Sequence, residues 1–159
     1  MFYFYFLITT LIVILVIWTI YWLHKLMKIR QRAQELYGRL LLLYIKRYEI
    51  IDNFVNNVFF DEEERKVIEV LLKLKELARG EKEFVKKVFL EHEISEMLKK
   101  LFHTNSQSES YFSNINHDIH DVVSKYNGLV QKMENIAMKK RIRILMQVFN
   151  IMPLIKIEV

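Results

Sequence analysis

Residues 2–23 carry no charge, and only Thr9, Thr10 and Thr19 interrupt their apolar character. As a helix rising about 1.5 Å per residue, such a run crosses a hydrocarbon core of about 30 Å, so the pattern predicts a transmembrane helix. A cleaved signal peptide would have a basic start, an apolar run of about 7 to 15 residues and a small-x-small cleavage site. None of these is visible, and the expectation is a retained signal-anchor.

Beyond the anchor the period changes to that of an amphipathic helix. Leu36, Leu40, Leu43, Arg47, Ile50, Phe54 and Val58 step by four and three, with Tyr44 and Ile51 widening the stripe and Arg47 its one polar member. Neither glycine nor proline separates Leu23 from Leu36, so one continuous helix is expected to about Val58, with Gly38 costing about 1 kcal/mol on the way. At Phe59-Phe60-Asp61 the pattern resets. Asp61 with Glu64 three residues later reads as a capping box, and Glu62 and Glu63 favour the positive end of a new helix.

That second helix carries Val67, Leu71, Leu74 and Ala78, meets Gly80, and resumes with Phe84, Val85, Val88, Ile94, Leu98 and Leu101. Gly80 is either a kink or a turn. A polar loop follows at His103-Thr104-Asn105-Ser106-Gln107-Ser108, with Ser106 and Glu109 as a second candidate capping box. The last helix has the cleanest repeat, Phe112, Ile115, Ile119, Val122, Tyr126, Leu129, Met133 and Ile136, and Pro153 ends it at the latest. No strand pattern appears. The predicted fold class is all-α: a single N-terminal transmembrane helix, then a long antiparallel helical bundle of three to four helices with coiled-coil-like packing. The expected divisions are 1–23 anchor, 24–32 basic juxtamembrane segment, 33–152 bundle and 153–159 tail.

Composition narrows the chemistry. The chain has no cysteine, three glycines and one proline. Disulfide scaffolds, thiolate zinc sites and cysteine nucleophiles are excluded, and folds built on many tight turns are disfavoured. The net charge of +5 has a location: Lys25, Lys28, Arg30 and Arg32 follow the anchor, and residues 33–159 hold 20 Lys and Arg against 19 Asp and Glu. The positive-inside rule then places the N-terminus outside and the remainder in the cytoplasm. The same four cations form a membrane-surface cluster attracting anionic lipid by about 1 kcal/mol each. Because the basicity sits at the membrane, no nucleic-acid partner is expected.

Candidate chemistry is sparse. His117-Asp118-Ile119-His120-Asp121 holds the one set of metal-ligand residue types at helical spacing, with His117 and His120 as the candidates. Its polar residues equally fit the solvated face of an amphipathic helix, and the Glu-x-x-His signature of di-iron bundles is missing. Glu91-His92-Glu93 is expected at the surface. No glycine-rich phosphate loop or nucleophile elbow occurs. Lys139-Lys140-Arg141 and Arg143 interleave with Ile142, Ile144, Leu145, Val148 and Phe149, which reads as a membrane-surface helix or as the solvated basic end of a bundle. Helix lengths favour the second: with residues 61–102 descending as one helix, the Ser106 loop lies near the lipid and Lys139 ends at the far tip, beside residues 61–64.

Several segments, taken in order, resemble the bacterial LemA family. Lys46-Arg47-Tyr48-Glu49-Ile50-Ile51-Asp52-Asn53-Phe54-Val55-Asn56-Asn57-Val58 is similar to its first cytoplasmic motif, with Lys46, Arg47, Asn53 and Val55 as matching positions. Tyr126-Asn127-Gly128-Leu129-Val130 resembles its Tyr-Asn-x-x-Val element through Tyr126, Asn127 and Val130. Ile144-Leu145 with Val148-Phe149, and Ile157-Glu158 beyond them, are similar to its closing signatures through Phe149 and Glu158. Asp52 replaces the family's proline, Met133-Glu134 its second Tyr-Asn, and Lys140-Arg141 its Phe-Pro. The resemblance implies a single-pass protein of the bacterial cytoplasmic membrane with a helical bundle and no established enzymatic activity.

The function expected is a membrane-anchored interaction or scaffold protein, not an enzyme and without a cofactor. Its partners would be the lipid bilayer and an unidentified protein, itself a membrane protein or a second copy of the chain. The competing expectations are a metal-dependent helical-bundle enzyme using His117 and His120, and a membrane-remodelling protein.

Overall fold

The computed structural model describes residues 2–104 and 106–157, with the backbone alone for 103, 104 and 106–108. The chain folds into five helices, α1 (Phe2–Asn57), α2 (Glu62–Gly80), α3 (Phe84–Thr104), α4 (Ser106–Ala137) and α5 (Lys140–Val148), with no strand among the described residues. α1 runs unbroken for 56 residues, through Gly38. Among the described residues it is the one helix long and apolar enough to cross a membrane. The three threonines of its apolar part return their hydroxyls to the helix: Thr9 donates to the Tyr5 carbonyl at 3.0 Å, Thr10 to Phe6 at 2.8 Å and Thr19 to Leu15 at 2.8 Å. None of the three threonine hydroxyls is left unpaired, each being returned to a carbonyl of its own helix.

The chain divides into two compact units, Met1–Glu35 with Gly128–Ile155, and Leu36–Asn127 with Lys156–Val159. In the larger unit α1 buries Leu40, Tyr44, Arg47, Tyr48, Ile51 and Phe54. Leu40, Arg47 and Phe54 are seven apart with Tyr44 and Ile51 between them, the spacing that keeps a seam facing its partners. Leu36, Leu43 and Ile50, which the pattern put on equal terms, form the half-buried edge. Rings knit the elements together: Phe54 meets Phe60 at 5.3 Å and Phe112 at 5.4 Å, Phe102 meets Phe112 at 5.9 Å, and Tyr37 meets Phe84 at 4.8 Å.

The expected capping box starts α2: the Asp61 carboxylate accepts from the Glu64 amide at 2.8 Å, and the Glu64 carboxylate from the Asp61 amide at 3.0 Å. Gly80 ends the helix, so of the two expectations the turn is the one realised. Residues 81–83 reverse the chain, and α2 and α3 pack side by side as a helical hairpin. The Glu81 carboxylate accepts from the amides of Lys82 and Glu83, both at 2.8 Å, and the Lys87 ammonium donates to the Ala78 carbonyl at 2.8 Å. Side chains thus satisfy the polar groups that the two helix ends leave open. The second capping box, at Ser106, falls outside the described side chains.

In the smaller unit, Leu26 of α1 and Met133 of α4 meet Ile142, Leu145 and Met146 of α5 and Ile151 beyond it. Pro153 is the latest end the sequence allows the last helix; α4 stops well before it, at Ala137, one residue past the repeat's Ile136, and Lys139 turns to extended backbone. Register explains the break. Continuing the buried positions Tyr126, Val130 and Met133 by helical steps would bring Lys140 and Arg141 to the core, whereas a restart at Lys140 brings Ile142, Leu145 and Met146 there. α5 ends in a left-handed cap: Asn150 has φ 50°, its amide donates to the Gln147 carbonyl at 3.2 Å, and the Ile151 amide to Met146 at 2.8 Å. This is a Schellman motif with Asn in the place glycine usually takes, and Met146 and Ile151 supply its hydrophobic contact.

Candidate functional site

Two constellations carry polar or charged groups in unusual settings, one in each unit. The first is a buried ion pair in the larger unit. Arg47 on α1 and Glu91 on α3 are both 1% exposed, and the guanidinium donates to the Glu91 carboxylate. Arg47 also donates to the Ser95 hydroxyl at 3.0 Å and to the Glu91 carbonyl at 3.3 Å, while Tyr48 donates its hydroxyl to the other carboxylate oxygen. The guanidinium lies 5.3 Å from the centre of the Tyr44 ring. Burial, and then the Glu91 charge, push the Tyr44 and Tyr48 hydroxyls well above the ordinary 10.0, so both stay protonated. A second ion pair joins the buried Lys75 of α2 to the half-exposed Asp52 of α1.

Glu91 corrects the surface placement expected for Glu91-His92-Glu93. It stands three residues after Val88 and three before Ile94, inside the apolar stripe of its own helix. The signal was present: one cation, Arg47, and one anion, Glu91, each interrupt an apolar stripe. Closed off from solvent, this network offers no route to a substrate. What it can do is fix the register of α1 against α3, since any slip would strand two buried charges.

The second constellation surrounds Trp22 in the smaller unit. The Lys25 ammonium lies 4.9 Å from the centre of its ring and the Lys139 ammonium 5.6 Å, so two cations from distant parts of the chain share one indole. Lys25, Lys28 and Arg32 are exposed and Arg30 half-buried. The expectation that Lys139 would sit beside residues 61–64 is therefore corrected. It rested on residues 61–102 forming one long helix, and the reversal after Gly80 removes that premise. Below Trp22, the side chains of Leu11, Ile14, Leu15 and Trp18 face Ile144, Leu145, Val148 and Phe149 of the α5 region across an apolar groove of about 630 Å³.

His117 and His120 are exposed on α4; the Lys125 ammonium, 2.6 Å from Asp121, holds that carboxyl below the usual range. No group of three or more potential metal-ligating side chains occurs among the described residues. Of the positions matched by resemblance, Arg47, Tyr126 and Val130 are buried, Val55 is half-buried, Lys46, Asn53 and Phe149 are exposed, and Glu158 lies outside the described residues. Asn127 makes a two-way bond with the backbone of Ile157, donating to its carbonyl at 2.7 Å and accepting from its amide at 2.9 Å. Sequence reading singled out both segments but did not pair them. In comparisons with known proteins, no family model, no curated protein and no solved structure matches the chain.

Proposed function

We propose that the protein is a single-pass, membrane-anchored scaffold that acts by binding and not by catalysis. Residues 2–23 would span the bacterial cytoplasmic membrane with the N-terminus outside, and α1 to α4 would form an antiparallel bundle in the cytoplasm. The observation that carries this reading is α1 itself. One uninterrupted helix begins as an apolar surface whose large side chains from Phe2 to Tyr21 are all exposed and ends with Leu40, Arg47 and Phe54 fully buried. An exposed apolar face of this size in water is an aggregation liability, whereas lipid covers it without penalty.

The cations Lys25, Lys28, Arg30 and Arg32 support the orientation by the positive-inside rule. Trp18, Tyr21 and Trp22, just before them, are residue types favoured at a membrane interface. The resemblance to the LemA family, through Arg47, Tyr126, Asn127 and Val130, supports a single-pass helical-bundle architecture in that setting. The larger unit's closed polar network is suited to holding a fixed helical surface for a protein partner.

A reporter fused after Val159 should be active in its cytoplasmic form and silent in its periplasmic form. The chain should also stay in the membrane pellet through alkaline carbonate washing. A periplasmic signal would reverse the topology, and release by carbonate would remove the span.

A further inference from the structure

We propose that α5 and the turn after it form a second membrane element, dipping into the cytoplasmic leaflet beside the anchor, with bilayer lipid as the occupant of the groove between them. The inference rests on residues 2–23 being the membrane span.

Lys139, Lys140, Arg141 and Arg143 crowd the start of the segment, and residues 144–155 then carry no charge at all. An uncharged stretch of about 10 to 14 residues is too short to span and is typical of a buried helix or a re-entrant or interfacial segment. A buried helix is excluded by exposure: Val148 is 72% exposed, Ile144 54% and Phe149 51%. These side chains lie across the groove from Leu11, Ile14, Leu15 and Trp18, so their apolar surface continues that of the anchor.

Lengths agree. α5 has nine residues, about 13 Å of helix, and Leu11 lies eleven residues, about 16 Å, below Trp22. Both match the depth of one leaflet, about half of a 30 Å core. The contacts fix the level of the upper end, because Lys139 stands over Trp22 and Trp22 also carries Lys25.

The lower end is built for a place without water. The amides of Phe149, Asn150 and Ile151 are all bonded to carbonyls of α5, so the reversal leaves none of these three donors open. The upper end is built for anions. The first turn of α5 has cations and no acidic residue, and its N-cap, Lys139, makes no side-chain bond to the helix. Cations at the positive end of a helix are unfavourable in water, and anionic headgroups at that level relieve both the repulsion and the open amides.

The test uses the full chain, which has no native cysteine. Single cysteines at Val148, Ile14 and Ser113 are labelled with an environment-sensitive fluorophore, in vesicles of phosphatidylcholine with phosphatidylglycerol. Lipids carrying bromine at defined acyl depths serve as quenchers. The Val148 and Ile14 probes should lose emission to mid-leaflet bromines, and the Ser113 probe should keep it. Substituting Gln for Lys140, Arg141 and Arg143 together should diminish quenching at Val148 and leave Ile14 unchanged. Quenching at Ile14 with a water-like signal at Val148 would overturn the inference while keeping the span. So would a dry but unquenched Val148 probe that cross-links between copies, which assigns the groove to a second chain. Loss of quenching at Ile14 as well would remove the span and the inference together.

Discussion

Arg47 on α1 and Glu91 on α3 form a fully buried ion pair across 44 residues of sequence, each side chain 1% exposed. Removing one partner leaves the other charge buried and unmatched, which costs about 3–5 kcal/mol, whereas replacing both with apolar residues of similar volume is often neutral. Glu91→Ala should therefore lower stability by about that amount, read by denaturation of the full chain in detergent. Arg47→Met with Glu91→Leu should recover most of the loss. A double variant as unstable as the single one would mean that the network contributes more than the cost of its own burial.

The same network makes a pH prediction. Burial and the Glu91 charge raise the Tyr48 hydroxyl above its ordinary 10.0. Below that pH the tyrosine is protonated whether the chain is folded or not, and its contribution is fully present. As pH rises further, the unfolded chain loses the proton first, so the folded state loses stability. Alkaline unfolding should therefore begin above pH 10, and Tyr48→Phe should flatten the slope of stability against pH in that range. Equal slopes with and without the hydroxyl would place the alkaline transition elsewhere.

How much was legible follows from what periodicity can encode. The continuity of α1 was readable because no breaker lies between Leu23 and Leu36, and the Asp61 cap because its chemistry is local. The break at Met138-Lys139 was not readable as a breaker, since neither residue is Gly or Pro; only the register of buried positions on both sides requires it. Glu91 was missed because three polar residues in a row look solvated until the facing helix is known to bring Arg47. The position of Lys139 was missed for a different reason: an unresolved choice at Gly80 decides which end of the molecule the last helix reaches.

Asn127 and Ile157 offer a sharper check on how the C-terminal segment is held. The Asn127 amide makes two bonds to the Ile157 backbone, at 2.7 Å and 2.9 Å. At about 0.5–1.5 kcal/mol for each, Asn127→Ala should cost about 1–3 kcal/mol. Asn127→Asp keeps the acceptor and loses the donor, and should fall between. Limited proteolysis should cut near Lys156 faster in both variants. An unchanged cleavage rate in Asn127→Ala would show that Ile157, which is buried, is held by its side chain alone.

The turn at Asn150 separates backbone geometry from side-chain chemistry. Its φ of 50° is left-handed, and the residue is exposed. In that conformation most L-residues pay about 1–2 kcal/mol, glycine pays none, and asparagine is the best tolerated of the rest. Asn150→Gly should therefore leave folded stability within about 0.5 kcal/mol of the parent. A β-branched residue crowds the backbone most, so Asn150→Val should cost about 1–2 kcal/mol and loosen the contact between Met146 and Ile151 that the reversed backbone permits. Because Ile151 packs with Leu26 and Met133, the loss should appear as faster amide exchange at Ile142 and Leu145, with little change at Ile115 or Ile119 in the larger unit. If Asn150→Gly were the damaging change and Asn150→Val the silent one, the turn would depend on the asparagine side chain and the left-handed cap would not be what closes α5.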